Sequence, residues 1–333
     1  MIDSIYIEEE IKDHPRVINI CERFPNAERI SCFRYGEVFN KKAQNFRLQK
    51  QQPALILAKK HKKFVLPAPD GYGIGGTRNF YFSHMLNCLY DCRYCFLQGM
   101  YRSAHYVLFV NYEDYVEDII AHCQQTPETD SYYFSGYDCD SLALEPVTQF
   151  LDFFMPVFRK HPQAWLELRT KSTQIRKLLE QPPIENCVVA YSLSPEPIAQ
   201  ALEHKAPPLQ RRLESLAKLQ AQGWNIGLRF DPLIYHENFS EVYQSFFATV
   251  FQQVKLDSLH SVSLGPFRLP EGYFRNVVKL YPYEKLFAGP LQSKAGMVAY
   301  EVELEQALLT FCQQQILNYI PQENFFPCQY DGQ

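Results

Sequence analysis

The segment Arg78–Gly99, RNFYFSHMLNCLYDCRYCFLQG, decides the fold. Its first seven residues, 78–84, form a short aromatic-rich run that reads as a β-strand. Directly after it comes C-x3-C-x2-C, at Cys88, Cys92 and Cys95. Three thiolates so close in sequence can bind one metal centre, but they cannot fill all four iron corners of a cubane cluster. A structural zinc normally recruits a fourth Cys or His, and ferredoxin-type clusters take a fourth cysteine. Two readings stand beside an open iron–sulfur cluster: a zinc loop completed by His84 or His105, and core cysteines whose spacing is coincidental. A cluster with one iron left open is chemically useful, because that iron can chelate the amino and carboxylate groups of a ligand. S-adenosylmethionine needs this in order to sit against a cluster and receive an electron; the protein then supplies position and shielding.

Outward from this loop the pattern is regular. Runs rich in β-branched and aromatic residues predict strands at 131–135, 164–169, 187–193, 225–231 and 259–264. Helices are expected between them at 112–123, 145–160, 173–180, 209–222 and 240–254. Alternating strands and helical crossovers imply a parallel sheet, open or curled into a partial barrel. The cysteine motif then lies at the carboxyl end of the first strand, on the face where such sheets carry their active sites. Gly71, Gly73, Gly75 and Gly76 read as loop punctuation, since no clear strand precedes them as a dinucleotide fingerprint requires.

Apolar residues make up 46% and charged residues 21%, which places the chain among folded proteins rather than disordered ones. No run of eighteen apolar residues occurs, so no membrane span is expected. The first residues, MIDSIYIEEEIKDH, lack the order of a secretory signal, and a cytoplasmic location is the expected default. Ten cysteines there are not expected to form disulfides. A net charge of −4 does not advertise nucleic-acid binding, although a local basic patch can serve it. The one dense basic run, Lys59, Lys60, His61, Lys62 and Lys63, reads either as a solvated turn or as a phosphate-contacting segment.

The cysteine spacing at the end of a first barrel strand resembles that of radical S-adenosylmethionine enzymes. Within them the chain resembles the spore photoproduct lyase family, through YFSHMLNCLYDCRYCFLQ, YSLSPEPIAQALEHKAPPLQRRLE and GWNIGLRFDPLIYHENF. The resemblance implies an α/β fold built on a partial (β/α)6 barrel at 76–280, an N-terminal α/β segment at 1–75 and a C-terminal extension at 281–333. It implies a carbon–carbon lyase that uses a [4Fe–4S] cluster and S-adenosylmethionine to repair a thymine photoproduct in DNA. An electron donor, whether a reductase, a flavodoxin or a ferredoxin, is expected as a partner. The alternative is the same radical chemistry on a modified nucleoside, a peptide or a small metabolite.

Roles transfer by position. Cys88, Cys92 and Cys95 match the cluster ligands. Tyr94 matches a pocket tyrosine, or simply packs over the loop. Lys171 matches a lysine for the methionyl carboxylate, with a solvated lysine as the alternative. Ser192 and Ser194 match a segment at the cofactor's polar end, and Ser194 is equally suited to capping a helix. Arg229 and Asp231 are expected to face the pocket, or to pair with each other. Gly136, Asp140 and Ser141 stand where related enzymes contact the cofactor's ammonium group, and capping is the other duty open to Asp140. Two departures concern hydrogen return. The lyases' donor cysteine falls at Tyr137 here, with Cys139 two positions on, and Phe96 replaces a tyrosine. Cys139 or Tyr137 is therefore the expected donor, Cys139 because residues i and i+2 of a strand share a face.

A lesion in a duplex must be flipped into the pocket, and the resemblance implies a C-terminal hairpin that helps to do so. Arg268, Arg275, Lys279, Lys285 and Lys294 interleave with aromatic residues in that third of the chain, a pattern suited to phosphate contact with stacking, or to a helix packed on the barrel. A hairpin tip is expected at Lys294, Ala295 and Gly296.

Overall fold

The computed structural model describes residues 2–69, 71–125 and 128–328. The last five residues expected in the C-terminal extension lie outside the described residues.

All six expected strands form, as Arg78–Phe82, Ser131–Phe134, Ala164–Thr170, Cys187–Ser192, Asn225–Leu233 and Leu259–Pro266. They pair in that order, all parallel, as a curled half-barrel. Burial explains the pattern. Every residue of Cys187–Ser192, CVVAYS, is buried, as a parallel strand covered on both faces requires. The sheet has two further strands that the periodicity did not reveal: Val65–Pro67, antiparallel on the first barrel strand, and Phe325–Pro327, parallel on the last. Each is three residues long, too short to show a period of its own.

The crossover helices obey amphipathic spacing. In Leu209–Gln222 the buried residues include Leu209, Leu213, Leu216 and Leu219, one stripe along the helix. Gly223, at φ +97°, closes it in the left-handed conformation that glycine adopts freely. Two helices depart from expectation. The one expected at 145–160 breaks at Gln149 (φ 51°) into Glu145–Thr148 and Phe150–Lys160. The one expected at 173–180 shrinks to Arg176–Leu179. There the Thr170 and Ser172 hydroxyls accept the backbone N–H groups two residues on, at 2.8 and 3.0 Å, and hold turns instead.

The N-terminal residues form a second sheet, ordered Glu28–Cys32, Ser4–Glu8, Leu55–Ala58, Tyr106–Phe109 and Met85–Leu86. Its last two strands come from either side of the cysteine motif. The loop is therefore strung between the two sheets.

Candidate active site

The cysteine loop is fixed from several directions. Asn87, at φ 70°, turns the chain and donates from Nδ2 to the carbonyls of Ser103 and His105, at 2.7 and 2.8 Å. Asp91–Cys92 pairs antiparallel with Glu203–His204, so the EHK segment forms the other side of a two-stranded ribbon. Arg93 N donates to Leu202 O at 2.9 Å, and Lys50 Nζ donates to the carbonyls of Cys88 and Tyr90 at 3.3 and 3.2 Å.

The three thiols line one cavity of about 560 Å³. They do not converge: among the described residues, the set whose ligand atoms all lie within 4.8 Å of one another is Glu8, Glu10 and His61. Spread thiols suit the separate corners of a cubane, not ligation of a single zinc ion. Both histidines of the zinc alternative are engaged elsewhere. His84 stacks on Phe150 with ring centroids 4.3 Å apart, and burial pushes its pKa down to about 3. His105 Nδ1 accepts from Ala54 N at 3.0 Å. Burial pushes the Cys88 thiol up to about 12, so metal loading must displace its proton.

Tyr94, Lys171 and Ser192 line the same cavity. Behind Tyr94 and Lys171 sits a carboxylate that sequence reasoning did not single out, Glu203. It accepts from Tyr94 Oη and Arg212, from Ser194 Oγ at 2.9 Å, and lies 4.0 Å from Lys171 Nζ. Burial works against its charge, but Lys171 and Arg212 hold its pKa below the usual value. Ser194 is therefore spent on Glu203, and it neither lines the cavity nor caps the following helix.

Arg229 corrects two expectations. It does not line the cavity, and it does not pair with Asp231. Its guanidinium folds back along its own strand, where a Cβ on Gly227 would lie 2.6 Å from Nη2. There it meets Glu167 at 2.7 Å and Ser261 Oγ at 2.9 Å, fully buried. Asp231 does line the cavity, paired with Arg169. Arg169 also donates to Tyr72 Oη at 2.8 Å, and sequence reasoning missed it. Its signal was the basic residue two positions before Lys171 at the end of a strand.

Gly136 and Asp140 line the cavity, whereas Ser141 is buried beside it with its Oγ 2.9 Å from Ser135 Oγ. A Cβ on Gly136 would meet Ser141 Oγ at 2.9 Å, so the turn closes only with glycine. Asp140 caps a turn: Oδ1 accepts from Leu142 N, Ala143 N and Thr170 Oγ1, and Oδ2 from Lys171 N at 2.6 Å.

Tyr137 and Cys139 both face the cavity, but not by strand alternation, since the strand ends at Phe134 and both sit on the loop beyond it. Tyr137 stacks on Tyr81 at 4.3 Å and lies 5.7 Å from Phe96, ring centre to ring centre. Burial pushes its phenol up to about 12. Burial likewise raises the Cys139 thiol, which donates to Ser135 O at 3.7 Å. Both groups keep their hydrogen at neutral pH.

The C-terminal region closes the site. The helix Glu271–Leu280 packs on the short helix Leu97–Met100, where a Cβ on Gly99 would come within 2.3 Å of Tyr273 O. Tyr281 Oη donates toward Asp91 and Gln98, each at 3.2 Å, beneath the Arg93 guanidinium at 3.9 Å. A hairpin of Leu291–Lys294 and Met297–Tyr300 turns through Ala295 (φ 51°) and Gly296 (φ 80°), the two-residue geometry of a type I′ turn. Met297, directly after the turn, reaches the cavity. In the basic run, Lys59 and His61 pair with Glu10 at 3.8 and 2.9 Å and thus belong to the N-terminal sheet. No helix among the described residues is long and apolar enough to cross a membrane.

Comparison with known proteins agrees with this geometry. The family model described as spore photoproduct lyase matches residues 79–322. A curated spore photoproduct lyase from Bacillus subtilis is 22% identical over 202 residues, 60% of this chain and 59% of that one. One from Clostridium acetobutylicum is 19% identical over 211 residues, 63% of this chain and 62% of that one. The match thus spans about three fifths of these relatives. A solved spore photoproduct lyase mutant with bound AdoMet and dinucleoside spore photoproduct superposes with a TM-score of 0.85 at 16% identity, covering 99% of each chain. A second, complexed with dinucleoside spore photoproduct, gives 0.82 at 15%, covering 99% of this chain and 98% of that one.

Proposed function

The chain belongs to the spore photoproduct lyase family, and from that premise we propose that it is a radical S-adenosylmethionine lyase that restores thymines from a methylene-bridged DNA photoproduct. The carrying observation is that Cys88, Cys92 and Cys95 share one cavity with Lys171, Tyr137 and Cys139 at the open end of the half-barrel. When bound, a [4Fe–4S] cluster with S-adenosylmethionine supplies an adenosyl radical that abstracts a hydrogen atom.

The chain's own residues do the rest. Cys88, Cys92 and Cys95 would hold the cluster as its three protein ligands. Lys171 offers its ammonium to the methionyl carboxylate from a position shared with Glu203. Tyr94, tied to Glu203, keeps that end of the cavity packed. Cys139 or Tyr137 returns a hydrogen atom to the thymine radical. The hairpin turning at Ala295–Gly296, which brings Met297 to the cavity, guides the flipped lesion in, with Lys294 beside it for phosphate. DNA is thus the macromolecular substrate. A cytoplasmic setting with a reductase, flavodoxin or ferredoxin as electron donor suits a chain whose ten cysteines are all unpaired.

A different substrate is the second reading, favoured by Phe96 and Tyr137 standing where the lyases carry a tyrosine and a cysteine. One anaerobic experiment separates the two. Reconstituted protein is mixed with S-adenosylmethionine, dithionite and DNA containing spore photoproduct, then digested for mass spectrometry. Restored thymidine, absent with Cys88→Ala, establishes the lyase. Release of 5′-deoxyadenosine with the lesion intact establishes the second reading. In an active lyase, removal of the hydrogen donor, by Cys139→Ala or Tyr137→Phe, leaves 5′-deoxyadenosine formation but diverts the thymine product.

A further inference from the structure

Lys50 lies in the last turn of the short helix Phe46–Gln51 and is 8% exposed. Its side chain lines the same cavity as the three cysteines, and its ammonium donates to the carbonyls of Cys88 and Tyr90. Among the described residues no carboxylate lies within 4.0 Å of it. The nearest acid of the loop, Asp91, is bound to Arg93 at 2.8 Å. A second cation adds to the charge here: Lys205 Nζ donates to the backbone carbonyl of Lys50 at 2.9 Å. An ammonium buried without an anionic partner is costly, and the loop carbonyls are dipoles that an uncharged amide would satisfy equally well. The arrangement makes sense if a negative group occupies the cavity that Lys50 and the three cysteines line. Three thiolates around a cluster are such a group, and more so after one-electron reduction.

We propose that Lys50 is the built-in counter-charge of the cluster loop, a positioning residue that raises the reduction potential of the centre held by Cys88, Cys92 and Cys95. The inference rests on the cluster reading of that loop. In this role Lys50 acts through its charge, set in the cavity wall beside Cys88. A positive charge there favours the reduced state, in which S-adenosylmethionine is cleaved.

The test is an EPR-monitored redox titration of the whole, anaerobically reconstituted chain without S-adenosylmethionine, comparing wild type with Lys50→Gln and Lys50→Arg. Gln keeps hydrogen-bond donors for the two carbonyls and removes the charge; Arg keeps both. The expected result is a roughly tenfold shift of the reduction equilibrium toward the oxidised cluster in Lys50→Gln, about 59 mV for one electron, with Lys50→Arg near wild type. An unchanged potential in a cluster-bearing Lys50→Gln overturns the inference. If Lys50→Gln folds by circular dichroism but takes up no iron while Lys50→Arg does, the charge is needed even to hold the cluster, and the inference stands. Loss of iron from both variants overturns it, since loop geometry is then the whole role. Wild-type protein that assembles no cluster fails at the earlier step and takes the inference with it.

Discussion

At the scale of single residues, the site depends on how buried charges are shared. Glu203 serves Tyr94, Ser194, Lys171 and Arg212 together. Glu203→Gln leaves Arg212 without its anion in a site closed to water, and a loss of about 3–5 kcal/mol in urea unfolding is expected. The pH dependence has a definite sign. Burial opposes the charge, yet Lys171 and Arg212 depress the Glu203 pKa. Its stabilisation is therefore fully present above the unfolded glutamate value of ~4.3 and is lost as pH falls through the folded value. The stability gap between wild type and Glu203→Gln should be wide at neutral pH and close below about pH 4. A gap that does not change with pH counts against the carboxylate as its source. Arg229 and Arg169 show the same sharing from the cation's side. One, in the middle of its strand, is buried on Glu167, and the other, near the end of its strand, faces the cavity on Asp231.

Among the elements, the decisive contact is between the helix that follows the cysteines and the helix Glu271–Leu280. Their backbones approach so closely that Gly99 has no room for a methyl group, and Asn276 Nδ2 donates to Gly99 O at 2.9 Å. Gly99→Ala must push Tyr273 and its helix away. A destabilisation of about 1–3 kcal/mol is expected from overpacking, read by urea unfolding. Faster loss of iron from the reconstituted protein should accompany it, measured by chelator challenge. The reason is that Tyr281, just past this helix, is tied to Asp91 and Gln98 on the two sides of the last cysteine. An undisturbed stability would mean that the two helices separate freely.

For the molecule as a whole, a net charge of −4 and the DNA substrate proposed above are compatible only if the positive surface is local. Lys294 is exposed beside the hairpin turn, three residues before the cavity-lining Met297, and Tyr283 is 97% exposed. Lys294→Ala is expected to weaken binding to lesion-free and lesion-bearing DNA alike. The slope of log affinity against log salt should fall by about 0.9 for the lost phosphate contact, measured by fluorescence anisotropy. The visible absorption of the cluster should not change. An unaltered salt slope would place the DNA elsewhere on the surface.

The linear order of residues determined the six strands, four of the crossover helices in outline and the cysteine motif. Each is written locally, as alternation of apolar residues or a spacing within eight residues, whereas the hairpin was expected only through the family resemblance. The short edge strands and the shortening of the helix to Arg176–Leu179 escaped because three residues carry no period and a hydroxyl can capture a backbone N–H within two residues. The charge partners were decided by the tertiary structure alone. Lys50 meets Cys88 across 38 residues, Tyr94 meets Glu203 across 109, and Arg229 meets Glu167 across 62. No local pattern chooses between Asp231 and Glu167 as the partner of Arg229. The absent Cβ of Gly227 and the packed depth of the barrel make that choice, because a buried guanidinium goes where an anion and an acceptor wait together.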